Sequence, residues 1–371
     1  KSVVMAPQTQ HSDHLPWLGL VRMLVIGFIA FGYASTMPRG PDKQEYLNLF
    51  GYDPSWIGIQ IIFMITGYLA LQSLMRHGSA VKFLASRIVR TLPTLALFAA
   101  LVILVIFPLF GAPSPDGTSR IGQHLSYFVK VVTCIEPDGL TPGLLDNALY
   151  MCIIQGGIWT FRWGLLAFVA TALLWVCGGL KNRRILAALT LSSIILFVGM
   201  MLYVSQNPNA HQSKLLEYGI TGLRLGWAYL VGMCLFAYRH TLPRFWLIPV
   251  GLLGLAFVQY TFLPWSPMIE ISLELGFGYV VFLAMTSKVA RPKALSKVPD
   301  LSLGLYIFNW PAAQIVLLMM PTIGPLRLFT IAFAATVLIS WMVWMVISHP
   351  INLRLAPRLH AHTDPQHNLP A

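Results

Sequence analysis

Charge is scarce in this chain, with only 10% of its 371 residues being Asp, Glu, Lys or Arg and acidic residues numbering 13. Soluble globular domains carry about 25% charged residues, and this deficit excludes a water-soluble fold. Cysteine is nearly as scarce. Cys134, Cys152, Cys177 and Cys234 show neither CxxC nor His-paired spacing, so neither a zinc site nor a dithiol redox motif is written here, and no metal is expected. Free thiols are the expected state, with a Cys134–Cys152 disulfide across one outer loop as the alternative. No internal repeat and no glycine-rich phosphate loop is present, which disfavours a transporter built from related halves and a nucleotide-binding module. No cleavable signal is recognisable after Lys1, because the first apolar run is too long for a signal core.

What the chain has instead is apolar length. Hydrophobic residues make up 56% of it, gathered into ten runs of roughly 20 residues, and at about 1.5 Å of rise each such run crosses a hydrocarbon core of roughly 30 Å. The runs lie at 16–36, 56–76, 91–111, 158–179, 184–204, 219–238, 245–263, 270–287, 301–320 and 326–348. The expected fold is therefore an all-α integral membrane domain of about ten transmembrane helices over residues 16–348, with short tails at 1–15 and 349–371. The bilayer is its first partner.

The net charge of +12 does not indicate nucleic acid, since the Lys and Arg residues are dispersed between spans rather than gathered on a soluble face. Sixteen of them fall on the tails and alternate connections of one side and six on the other. By the positive-inside rule the richer side is cytoplasmic, and both termini are expected there. Asp42, Glu45, Asp53, Asp116, Glu136, Asp138, Asp146 and Glu217 fall in the opposite, outer loops. The longest of these, 112–157, contains a mixed stretch from His124 to Cys134 suited to lying along the interface.

Ionisable residues inside spans are costly and need partners. Arg22 and Arg162 lie near span ends, within reach of an interface. Glu274 lies a turn inside its span, with Arg224 at similar depth, and an Arg224–Glu274 ion pair is the expected solution. Trp17, Trp56, Trp159, Trp163 and Trp265 read as interfacial anchors.

The stretch IGIQIIFMITGYLALQSLMRHGSAVKFLASRIVRTLP at 57–93 resembles the second span and following loop of the acyltransferase 3 family, down to Arg87, Arg90 and Pro93 of an R-x-x-R-x-x-P phrase. LSLGLYIFNWP at 301–311 is similar to another phrase of that family. The resemblance covers essentially the whole chain. It implies a ten-span enzyme of the bacterial inner membrane that moves an acyl group from cytoplasmic acyl-CoA to a sugar of an exported glycan or similar acceptor.

The same resemblance implies a histidine base at the end of span 1, and this chain has Tyr33 there, eleven residues after Arg22. Gly164 stands in the place of a glutamate, Asn309 in that of a late histidine, and Ser348 in that of another carboxylate. A tyrosine of ordinary pKa, about 10, is a poor base at neutral pH. The expectation is therefore a catalytically degenerate relative, kept as an accessory or structural subunit packed against other membrane proteins. The alternative is an active O-acyltransferase. In it Arg22 and Tyr33 would serve the chemistry, Arg87 and Arg90 would bind acyl-CoA phosphates, and Trp159, Arg162 and Asn309 would line a substrate tunnel. Among the remaining histidines His124, in the long outer loop beside Tyr127, is the candidate substitute base; the others lie in tails or short connections.

Overall fold

In hydrocarbon every backbone N–H and C=O must be satisfied within the chain, and helices do this segment by segment. The computed structural model follows that rule: it is all-helical, with no strand among the described residues. It describes residues 15–350 apart from 41–44, 46, 112–119, 137–140, 142, 146–148, 151, 208–212 and 264–265. The expected tails, Asp42, Asp116, Asp138, Asp146 and the anchor Trp265 fall wholly or mainly outside the described residues.

In chain order the helices are α1 (Leu18–Thr36), α2 (Pro54–His77), α3 (Ala80–Leu101), α4 (Ile121–Thr133), α5 (Thr160–Val176), α6 (Arg183–Gln206), α7 (Lys214–Ala237), α8 (Leu247–Phe262), α9 (Pro267–Met285), α10 (Ser302–Met319) and α11 (Pro325–Val343). Eight of them, sometimes with an adjoining turn, are long and apolar enough to cross a membrane. The α5 and α8 helices, at 17 and 16 residues, are apolar but shorter.

One boundary departs from expectation. Residues 77–90 do not form a connection: α2 stops at Gly78, which adopts a left-handed φ of 62°, and Ser79 immediately caps α3 by accepting from the Lys82 amide. The helix then runs through Pro93, a π turn at Val102–Ile106 and a last turn to Phe110. Arg87 and Arg90 therefore project from a helix. The α4 helix is amphipathic, burying Tyr127 and Val131 while exposing Ile121 and Leu125.

The core is centred on α2, which packs closely against α7. A Cβ on Gly67 would overlap the Tyr229 carbonyl, and one on Gly232 the Met64 carbonyl, so each helix uses a glycine to let the other's backbone in. The α1 helix lies between α2 and the α10–α11 pair, and α8 packs on α9. The α2, α9 and α10 helices are the most deeply buried, whereas α6 and α11 turn most of their surface outward.

Candidate functional site

Pro311 inside α10 organises a polar junction at one end of the bundle. A proline lacks the N–H that would bond the carbonyl four residues earlier, here that of Ile307. Gln155 supplies the missing donor, its Nε2 lying 3.2 Å from both the Ile307 and Tyr306 carbonyls. The other end of the same amide, Oε1, accepts from the backbone N–H groups of Gly157 and Ile158, the latter at 2.7 Å. One buried side chain thus joins the segment leading into α5 to the proline-interrupted turn of α10.

Around it the hydroxyls converge. Tyr306 Oη lies 2.9 Å from Thr160 Oγ1 and donates to the Gly157 carbonyl at 3.1 Å. A Cβ on Gly157 would stand 3.3 Å from the hydroxyl oxygens of both Tyr306 and Tyr33. The Tyr33 ring meets Trp310 edge-on at 4.8 Å between centroids. Tyr33 therefore brings a second phenolic hydroxyl to the junction.

Beside it lies a carboxyl that sequence reasoning placed merely in an outer loop. Glu45 is buried, and its carboxyl presses on Gly32, where any Cβ would overlap it. Its Oε2 accepts from the Ser55 amide at 3.0 Å, while its own backbone N–H donates to Asp53. Burial, reinforced by the Asp53 charge and opposed by the Ser55 hydrogen bonds, raises the Glu45 carboxyl to about 7. Tyr33 lies within electrostatic reach of this group. A carboxyl poised near neutrality can take up and release a proton where Tyr33 cannot. Only the fold brings it there, since nothing in the local sequence marks Glu45.

The other expected residues are distributed over the molecule. Arg22 pairs with Asp300 at 3.0 Å, eleven residues and about 16 Å along α1 from Tyr33, so the two do not share one reacting centre. Arg87 donates to the Leu69 carbonyl and stacks between the Phe83 and Phe168 rings, a packing role. Arg90 is exposed and stands near Arg22 and Arg76. Asn309 is buried, but its Nδ2 turns back to the Leu305 and Tyr306 carbonyls of its own helix. Gly164 faces open space, with nothing within 4 Å of where a Cβ would stand.

His124 stands outside the contacts that gather Tyr33, Trp310 and Gly157. It sits on α4 with its imidazole 4.5 Å from the Phe107 ring, beside a cavity of about 30 Å³ lined also by Val102, Tyr127 and Thr141. Arg162 lies within electrostatic reach of Cys134 and Glu136, at the end of α4. Trp159 stacks on Trp56 at 5.7 Å, and Trp56 in turn carries the Arg224 guanidinium at 5.2 Å. Neither the expected alternative Cys134–Cys152 bridge nor any other disulfide is present among the described residues.

The expected Arg224–Glu274 pair is corrected. Arg224 binds Glu270, with Nε 2.6 Å from Oε1 and Nη2 2.9 Å from Oε2. Glu270, read from sequence as the interfacial start of a span, is in fact fully buried, and α9 begins one turn earlier, at Pro267.

Comparison with known proteins points to an acyltransferase-like chain. It is 23% identical over 316 residues to an O-acetyl transferase of Shigella phage Sf6, covering 84% of this chain and 89% of that protein. No protein-family model matches the chain, and no solved structure does. The similarity is distant, and it supports an acyltransferase-like protein embedded in a membrane.

Proposed function

We propose that this chain is an active membrane O-acyltransferase in which Glu45 is the proton acceptor. One observation carries the reading: a buried carboxyl titrating near 7 lies against α1 at Gly32, next to Tyr33. In the proposed step the hydroxyl oxygen of the acceptor bonds to the thioester carbonyl carbon of acyl-CoA as its proton passes to the Glu45 carboxylate. The carbon–sulfur bond then breaks, and the proton leaves Glu45 for the departing thiolate, so Glu45 returns to its starting state. The Tyr33 hydroxyl donates to the oxygen that becomes negative in the tetrahedral intermediate. At the other end of α1 the exposed Arg90, near Arg22 and Arg76, offers cations to the CoA phosphates, and the extended pantetheine arm spans the distance between.

The name of the phage relative makes acetyl-CoA the first donor to try, and the resemblance to exported-glycan acyltransferases makes a sugar hydroxyl the acceptor and the bacterial inner membrane the location. The test is thiol release from acetyl-CoA by protein in liposomes, with and without a panel of hexose acceptors. Glu45→Gln is expected to lower turnover by about 10²- to 10⁴-fold, the usual worth of general-base assistance, while Glu217→Gln is silent. Turnover that survives Glu45→Gln removes Glu45 from the chemistry. A wild-type protein with no turnover that purifies with stoichiometric membrane companions would instead support the accessory-subunit reading.

A further inference from the structure

A second buried polar cluster lies on α9, away from the tyrosine junction. Glu270 and Glu274 are one turn apart and both are 0% exposed, as is Gln60 of α2. Arg224, from α7, is committed to Glu270, and Gln60 Nε2 donates to the same carboxylate at 2.7 Å. Glu274 receives no such donor. Among the described residues neither of its oxygens has a hydrogen-bond partner, and the Gln60 amide oxygen, held in the same cluster, lacks one too.

The groups that face Glu274 are Glu270 on its own helix and Arg224 across from α7, with Gln60 of α2 and Tyr52 in the segment before α2 completing the cluster. One guanidinium balances one carboxylate. A second ionised carboxylate would be a buried charge that no neighbour offsets. Two facing carboxyls can bond only if one of them carries a hydrogen. A donorless group of oxygens calls for a cation, and three uncommitted oxygens are too few for a metal ion that takes six or more ligands. A proton needs only one donor position and one acceptor.

We propose that Glu270 and Glu274 form a proton-binding site within the membrane: Glu274 holds one proton and donates it to Glu270 or to the Gln60 amide oxygen, leaving the group with Arg224 electrically neutral. Exchange with water runs past Tyr52, whose hydroxyl rests 3.4 Å from the Ser266 carbonyl at the end of the cluster, and along the exposed edge of Arg224.

Infrared spectroscopy of the full chain in nanodiscs tests this directly. The spectra are taken at about pH 9, where Glu45, at about 7, is ionised and silent. The wild type is expected to show the carbonyl stretch of a protonated carboxylic acid, shifted in heavy water and unchanged by sodium or potassium. Glu274→Gln should abolish it. Glu270→Gln should abolish it as well, because Glu274 then ionises as the sole counter-ion of Arg224. Absence of the band from the wild type overturns the proposal whatever the variants do. A band that sodium or potassium removes overturns it in favour of a metal cation, and a band that persists in folded Glu274→Gln protein places the proton elsewhere. None of these outcomes depends on acyl transfer, so failure here is distinct from failure of the Glu45 mechanism.

Discussion

Arg224 and Glu270 meet through two charge-assisted contacts of 2.6 and 2.9 Å at a carboxylate with no exposure to solvent, while the guanidinium plane rests between the Trp56 and Phe197 rings, each 5.2 Å away. The pair ties α7 to α9, and the aromatic sandwich ties it to α2 and α6. Removing the cation strands two buried carboxyls, whereas removing Glu270 leaves Glu274 as a replacement counter-ion.

Arg224→Met is therefore expected to cost about 3–5 kcal/mol, the usual penalty for an orphaned buried charge, and Glu270→Gln distinctly less. Restoring neutrality with Arg224→Met in a Glu270→Gln/Glu274→Gln background should recover most of the loss. Denaturant or thermal unfolding in detergent measures all three; equal losses for the two single variants would show that Glu274 does not substitute.

Glu45 makes stability depend on pH with a definite sign. Its carboxyl is raised from 4.5 to about 7 in the folded protein, so the folded state holds the proton more tightly than the unfolded chain. The resulting stability is fully present below about 4.5 and is lost as pH rises through about 7. The thermal midpoint should fall across that window in the wild type and stay flatter in Glu45→Gln. An identical slope in both would mean that Glu45 is not the titrating group.

Helix approach at Gly67 and Gly232 should tolerate no side chain. Gly67→Ala or Gly232→Ala forces backbone apart and is expected to destabilise by about 1–3 kcal/mol, whereas Gly226→Ala, with nothing within 4 Å of its Cβ position, should be neutral or stabilising by up to about 1 kcal/mol. Unfolding midpoints of the three variants settle the contrast.

The orientation expected from charge also has a direct measurement. A cysteine at position 183 should resist membrane-impermeant labelling from outside intact cells, and one at position 217, exposed at the start of α7, should react. The reverse pattern would invert the topology.

Much of the architecture was legible in the sequence because hydrocarbon enforces it. A run of some 20 apolar residues has no alternative to a helix in a bilayer, so most of the long helices could be placed from apolar length alone. The mixed stretch at His124–Cys134 was legible only as a segment suited to the interface, and the structure makes it the amphipathic α4. The start of α3 was less legible, since Arg87 and Arg90 look like loop residues, and only the Gly78–Ser79 stop-and-cap joins them to a helix.

Which polar residues meet was decided by tertiary structure alone. Depth along a sequence is a one-dimensional quantity, and it paired Arg224 with Glu274; the tilt and rotation of α7 against α9 select Glu270. Gln155 finds Ile307 across more than 150 residues because Pro311 leaves a carbonyl unbonded there, and Glu45 comes to rest on Gly32 of α1 although nothing local to either residue announces the contact. Hydrophobicity places segments in the membrane without direction, whereas hydrogen bonds and ion pairs act over a few ångströms and are chosen only once the helices have packed.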